Sequence, residues 1–218
     1  MMNGGEPIYL AGSHLDDTRH ICALFGSDDE EYRVLLPFMK YGFDRGDKAI
    51  HVVNPGQRDD PLHRLAAAGI DTAAAVARGQ FELRSSTDTY LPDGRFDRDR
   101  MLGVFKQLAG GDAKGGFARS RIVCRMDWVA GSRVVVDDVI QFESRANDVW
   151  RRHDDAVICT YRLRQCGGDT VIDIMRAHPL AIVGGILQRN PFYVPPEQFV
   201  LELRERRSRQ AAHRATTD

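Results

Sequence analysis

His20 and Cys22 stand two residues apart in the run His20-Ile21-Cys22-Ala23-Leu24-Phe25. If that run is a strand, both side chains leave the same face. Cys159 and Tyr161 repeat the spacing in Ala156–Tyr161, and Cys124 lies in a third apolar run, Ile122–Met126. Thiols and imidazoles together are good ligands for zinc and softer metals. A thiol–imidazole cluster therefore becomes conceivable, on the condition that these runs are neighbouring strands. None of the four cysteines (Cys22, Cys124, Cys159, Cys166) forms a C-x-x-C pair. No zinc-finger spacing occurs either. The thiols are expected to be buried as small apolar groups, and no metal is expected. The Tyr161 hydroxyl, at a strand end, can fix a polar ligand or be satisfied within the core.

Glu143 and Asn147 are four residues apart and would share one face of a helix. That face could meet a ligand, a partner or solvent. His178 precedes Pro179, which forces an extended or turn geometry. A histidine held this way can titrate near neutrality beside a pocket, or merely shape a turn. Asn190-Pro191 is a turn signal.

Ligands of open parallel sheets bind beyond the carboxyl ends of the strands. The loop after His20–Phe25 is therefore the first place to look. It reads Gly26-Ser27-Asp28-Asp29-Glu30-Glu31-Tyr32. A phosphate-cradling loop, G-x-x-x-x-G-K-[ST], needs glycines for backbone N–H approach and a lysine for charge. Here there are one glycine, no lysine and four consecutive carboxylates, which repel a polyphosphate. Ser27 and Glu30 fit a capping box, and the acids suit the positive end of a helix dipole. Alternatively, this helix end lines a pocket for a different ligand. No G-x-S-x-G, H-E-x-x-H or G-x-G-x-x-G is present, and no catalytic residue is assigned.

These groups must be positioned by the elements around them. Core strands are predicted at His20–Phe25, Ala49–Val53, Ile122–Met126 and Ala156–Tyr161, with a weaker one at Phe81–Ser85. Val171–Met175 and Leu180–Val183 read as a late hairpin or as a strand beside a loop. Helical spacing appears over Glu30–Arg45, Asp60–Ala68, Asp97–Leu108 (stopped at Gly110-Gly111), Val135–Trp150 and Pro196–Arg207. The alternation predicts an α/β fold with a mainly parallel central sheet and helices on both faces.

The length of 218 residues suits one domain. The composition, 43% apolar and 28% charged with net charge −1, is ordinary for a globular protein and gives no sign of nucleic acid or membrane as a direct partner. Neither a membrane-length apolar run nor a secretory signal is seen, so a cytoplasmic location is expected. Residues 1–17 are expected to be a flexible segment, 18–205 the domain, and 206–218 a basic, disordered tail.

The run His20–Phe25, the following S-x-x-E-E-Y, and Leu36-Pro37-Phe38 resemble the methanogen/methylotroph sensory (MEDS) domain, first described in a dichloromethane-responsive repressor. The likeness continues through Gly79-Gln80-Phe81, Gly94-Arg95-Phe96-Asp97, Met126-Asp127-Trp128 and Glu143–Asn147. It ends with Cys159-Thr160-Tyr161, His178-Pro179, Gly184-Gly185 and Asn190-Pro191-Phe192. The resemblance implies a RecA/KaiC-like fold that has lost its nucleotide loop, without a cofactor. It further implies sensing of a small organic molecule, with output through a separate protein such as a histidine kinase, an anti-sigma-type factor or a DNA-binding regulator. One departure concerns Arg125, where the family pattern often has an acid; Asp127 could compensate.

Together these readings give as candidate ligand-binding residues His20, Cys22, Ser27, Glu30, Tyr32, Asp127, Trp128, Glu143, Asn147, Cys159, Tyr161 and His178. A pocket is expected at the carboxyl ends of the central strands. The alternatives are a protein-interaction or oligomerisation module without a small ligand, and a residual nucleotide- or thiol-dependent enzyme.

Overall fold

A computed structural model describes residues 8–109, 115–130 and 133–217. The chain enters through an antiparallel hairpin of β1 (Ile8–Leu10) and β2 (Ser13–Leu15). Ala11 and Gly12 both have positive φ, 46° and 82°, as a tight two-residue hairpin turn requires. Over residues 8–15 this corrects the expectation of a flexible segment at residues 1–17. Ile8, Leu10 and Leu15 are buried in one apolar cluster with Leu35 and Phe38, while Tyr9 faces solvent. That alternation is enough to pin a short strand pair. Residues 1–7 lie outside the described residues.

Strand and helix then alternate: β3 (His20–Phe25), α1 (Asp28–Asp44), β4 (Lys48–Val53), α2 (Asp59–Ala67), α3 (Thr72–Ala77), β5 (Phe81–Ser85), α4 (Ser86–Tyr90), α5 (Arg98–Ala109), β6 (Ser120–Arg125), α6 (Arg133–Trp150), β7 (Ala156–Arg162), α7 (Gly168–Ala177), β8 (Leu180–Val183), β9 (Ile186–Arg189) and α8 (Pro196–Thr217). The main sheet runs β5-β4-β6-β7-β3-β8-β9. All its pairings are parallel except β8–β9. Its central strands are apolar on both faces, as strands sandwiched between helices must be. One face, carrying Cys22, Ile50, Ile122, Cys124, Val157 and Cys159, packs on Phe105, Phe142, Phe199 and Leu203. The other, carrying Ile21, Ala23, Phe25, Val123 and Ile158, packs on Leu35, Phe38 and Leu65.

Two further expectations are corrected. Val171–Met175 is the middle of helix α7, not a strand. Its β-branched residues suggest a strand, but Ile174 and Ala177 are buried at helical spacing while Ile172 is exposed. Leu180–Val183 does form a hairpin, with β9 through Gly184-Gly185. The tail is the second correction, because α8 runs on to Thr217. Arg206 makes two hydrogen bonds to the buried Asp173 carboxylate, at 2.9 and 3.1 Å. Arg207 donates to Asp137 and Asp138, at 3.2 and 2.9 Å. A basic stretch that finds buried acids on α6 and α7 stays helical. Gly110-Gly111 and the Arg214 side chain lie outside the described residues. Among those described, no helix is long and apolar enough to cross a membrane.

Candidate functional site

The strand order makes the separate cysteine runs neighbours. Cys159 of β7 lies opposite Cys22 of β3 on one side and Cys124 of β6 on the other. His20 shares the Cys22 face, and Tyr161 shares that of Cys159. Helix α6 crosses this face. Its inward stripe contains Val139, Glu143, Asn147 and Trp150, all buried, so a carboxylate and an amide stand where apolar residues are usual. His178 follows α7 in an extended conformation, φ −119° and ψ 128°, as Pro179 demands.

Four side chains converge: His20, Glu143, Cys159 and His178, all buried, with ligand-type atoms within 4.8 Å of one another. Glu143 Oε2 lies 3.1 Å from His20 Nε2 and 3.4 Å from His178 Nε2. The Cys159 thiol lies 3.6 Å from both His20 Nε2 and Glu143 Oε2. Around these stands a second layer. Tyr161 donates its hydroxyl to Glu143 Oε1 at 3.0 Å. His20 Nδ1 meets Asn147 Oδ1 at 2.9 Å, and His178 Nδ1 meets the Ile174 carbonyl at 2.8 Å. The Asn147 amide nitrogen donates to the carbonyls of Ser144 and Ala177 at 2.9 and 2.8 Å.

Burial sets the protonation of this cluster. It lowers His20, and neighbouring His178 lowers it further. Burial alone would raise Glu143, but His178 and His20 beside it hold that carboxyl below the usual carboxylate range. Burial raises the Cys159 thiol, with Cys124 and Glu143 adding to the effect. Burial likewise raises Cys22, reinforced by Glu143.

The mouth at the carboxyl end of β3 is closed. Glu31, on the inward face of α1 with Leu35 and Phe38, accepts from Arg125 at 2.8 Å and from Arg162 at 2.7 Å. Asp28 pairs with both arginines. Thr160 donates to Glu31 at 3.3 Å. Asp127 accepts from the Arg162 backbone at 3.2 Å and lies 4.0 Å from Arg125. The acids of this loop are thus partly neutralised by guanidinium groups, and repulsion is not the whole obstacle to a phosphate. Protein side chains already occupy the place.

The residues singled out in the sequence divide accordingly. His20, Cys22, Glu143, Asn147, Cys159, Tyr161 and His178 are brought together. Ser27 and Glu30 serve the cap of α1: Ser27 Oγ accepts from Glu30 N at 3.2 Å, and the Glu30 carboxylate accepts from Gly26 N at 2.7 Å. Tyr32 is buried in α1, with the Arg64 guanidinium 4.7 Å from its ring centre. Asp127 belongs to the mouth. Trp128 stacks on Tyr90 at 4.8 Å. Sequence reasoning missed Glu31, Arg162 and Tyr90. For Glu31 the signal was available, since it lies four residues before the inward Leu35. A cavity of about 210 Å³ adjoins the cluster, its walls including Thr18, Arg19, His20, Asn147, Trp150 and Tyr193. It lies at the amino end of β3, opposite to where a pocket was expected.

The fold is that of RecA/KaiC-like proteins. A KaiC-like protein from the hyperthermophilic archaeon Pyrococcus horikoshii superposes with a TM-score of 0.51 at 10% identity, over 75% of this chain and 69% of that one. Residues 19–179 match the model of the MEthanogen/methylotroph, DcmR Sensory domain, and the chain belongs to this MEDS family. No curated protein matches the sequence.

Proposed function

We propose that this chain is a sensory module that takes up a small organic molecule in the cavity beside His20 and Asn147 and reports occupancy to a separate regulatory protein. The observation that carries this reading is the position of the cavity. There the surface opens onto His20, a member of the buried polar cluster, and onto Asn147. Its volume of about 210 Å³ lies below the range of drug-sized sites, which suits a smaller guest. Trp150 and Tyr193 offer apolar surface there, and Arg19 and Asn147 offer polar contacts. Tyr193 belongs to the connection between β9 and α8, so a guest against it bears on the start of α8. A groove of about 730 Å³ between α5, α6 and α8 gives a regulator such as a kinase or anti-sigma-type factor a surface that responds. Nucleotide hydrolysis has no part in this reading, because ion pairs fill the mouth at β3 and burial raises the thiols. Four free cysteines suit a reducing compartment such as the cytoplasm.

The test is a panel of small alcohols, carboxylic acids and halogenated alkanes, read by thermal shift and by tryptophan fluorescence. Binding should quench or shift the Trp150 signal, and Asn147→Leu should abolish it. If no compound acts at millimolar concentration, the small-molecule reading fails. Tight, magnesium-dependent ATP binding would overturn the non-enzymatic one.

A further inference from the structure

The tautomers of the two buried histidines follow from their outer partners. The Ile174 carbonyl can only accept, so His178 Nδ1 carries a hydrogen. Asn147 points its NH₂ at backbone carbonyls, so its oxygen faces His20 and accepts from Nδ1–H. With both rings neutral, each imidazole therefore presents its Nε2 lone pair inward, toward the same oxygen, Glu143 Oε2. His178 Nε2 is fully buried and has no hydrogen-bond partner. In that form three acceptors meet in the protein interior, and the Cys159 S–H is the donor beside them.

Buried acceptors converging without donors are costly, unless a cation supplies the missing charge. The spacing fits one. Zinc bonds of about 2.0–2.1 Å to nitrogen, about 2.0–2.2 Å to oxygen and about 2.3 Å to sulfur place tetrahedral ligands roughly 3.3–3.6 Å apart. Four of the six edges here measure 3.1, 3.4, 3.6 and 3.6 Å, and all six lie within 4.8 Å. The outer layer is also that of a metal centre: each imidazole is anchored through Nδ1, and the carboxylate accepts from Tyr161.

We propose that His20, Glu143, Cys159 and His178 form a tetrahedral site for a divalent, thiolate-tolerant ion of the zinc class. One proton leaves, from Cys159 to solvent. The thiolate and carboxylate then balance the two positive charges, and the buried site is neutral. With four protein ligands it is of the closed kind. The proposal is independent of the small-molecule reading, since either can hold without the other. It revises the sequence-based expectation that no metal binds.

The test is to refold the full chain with zinc or cobalt(II), dialyse it and measure metal content. The expected result is one equivalent per chain. The cobalt form should show a thiolate-to-metal charge-transfer band and the intense visible bands of tetrahedral coordination. Cys159→Ser should abolish the charge-transfer band and weaken zinc binding at least tenfold, as should His178→Gln, while Cys166→Ser keeps both. Substoichiometric metal, a cobalt spectrum lacking the thiolate band, or loss of binding in Cys166→Ser instead would each overturn the proposal. The wild-type cobalt spectrum decides the matter even if the ligand variants do not fold.

Discussion

Glu31→Gln is the sharpest probe of the closed mouth. One carboxylate oxygen takes charge-assisted hydrogen bonds from Arg125 and Arg162, at 2.8 and 2.7 Å. Each is worth about 1.5–3 kcal/mol. Breaking a buried ion pair by removing one partner costs about 3–5 kcal/mol. The two routes agree on about 4 kcal/mol, a substantial share of a typical 5–15 kcal/mol stability. Burial raises Glu31, and Arg125 opposes that rise. Urea unfolding is the assay. With a slope of about 2.5 kcal/mol/M, the midpoint should fall by about 1.6 M. Asp29→Asn, which removes an exposed pair with Arg64, is the control and should cost less than about 1 kcal/mol. If Glu31→Gln costs no more than this control, the reasoning about the mouth is wrong.

Gly42→Ala should destabilise by about 2 kcal/mol in the same assay, although alanine in a helix ordinarily gains 0.5–1 kcal/mol. The new methyl would lie 2.4 Å from Arg121 Cδ and Nε, and Arg121 is held by Asp47 and the Phe38 carbonyl. Any stabilisation refutes this. His51 is buried and its pKa falls to about 4, through burial first and then Arg125. The unfolded chain therefore takes up a proton that the folded chain does not. The stability contribution is intact above pH 6.5 or so and is lost as pH drops toward 4, by roughly 3 kcal/mol. His51→Leu should flatten that part of the pH–stability curve, and an unchanged slope counts against it. Arg206→Ala should cost about 2 kcal/mol, because the buried Asp173 carboxylate loses the two charge-assisted hydrogen bonds from Arg206. A drop in Tm of about 4–8 °C is expected, and a change under 1 °C would show that the tail is not docked.

Much of the fold could be read from period and punctuation. β3 and β5 have the predicted bounds because each apolar run is closed by a clear stop. α7 was misread because Val171, Ile172 and Ile174 favour strand locally, and only burial against α6 and α8 decides otherwise. The polar cluster was half legible. Two-residue spacing put His20 with Cys22 and Cys159 with Tyr161, and four-residue spacing put Glu143 with Asn147. That β7 lies between β3 and β6 is a matter of strand order, which local patterns do not encode. The mouth was misjudged for the same reason: Arg125 and Arg162 end strands remote in sequence from the acids they meet.

The last helix is strapped by Arg206 to α7 and by Arg207 to α6, the two elements that deliver His178 and Glu143. A partner that gripped α8 would therefore hold a lever on the interior. Lifting it would take Arg206 away from Asp173 and Arg207 away from Asp137, and the strain would fall on the helices that aim the imidazole and the carboxylate. A ligand in the cluster and a partner on this helix would then be coupled in both directions.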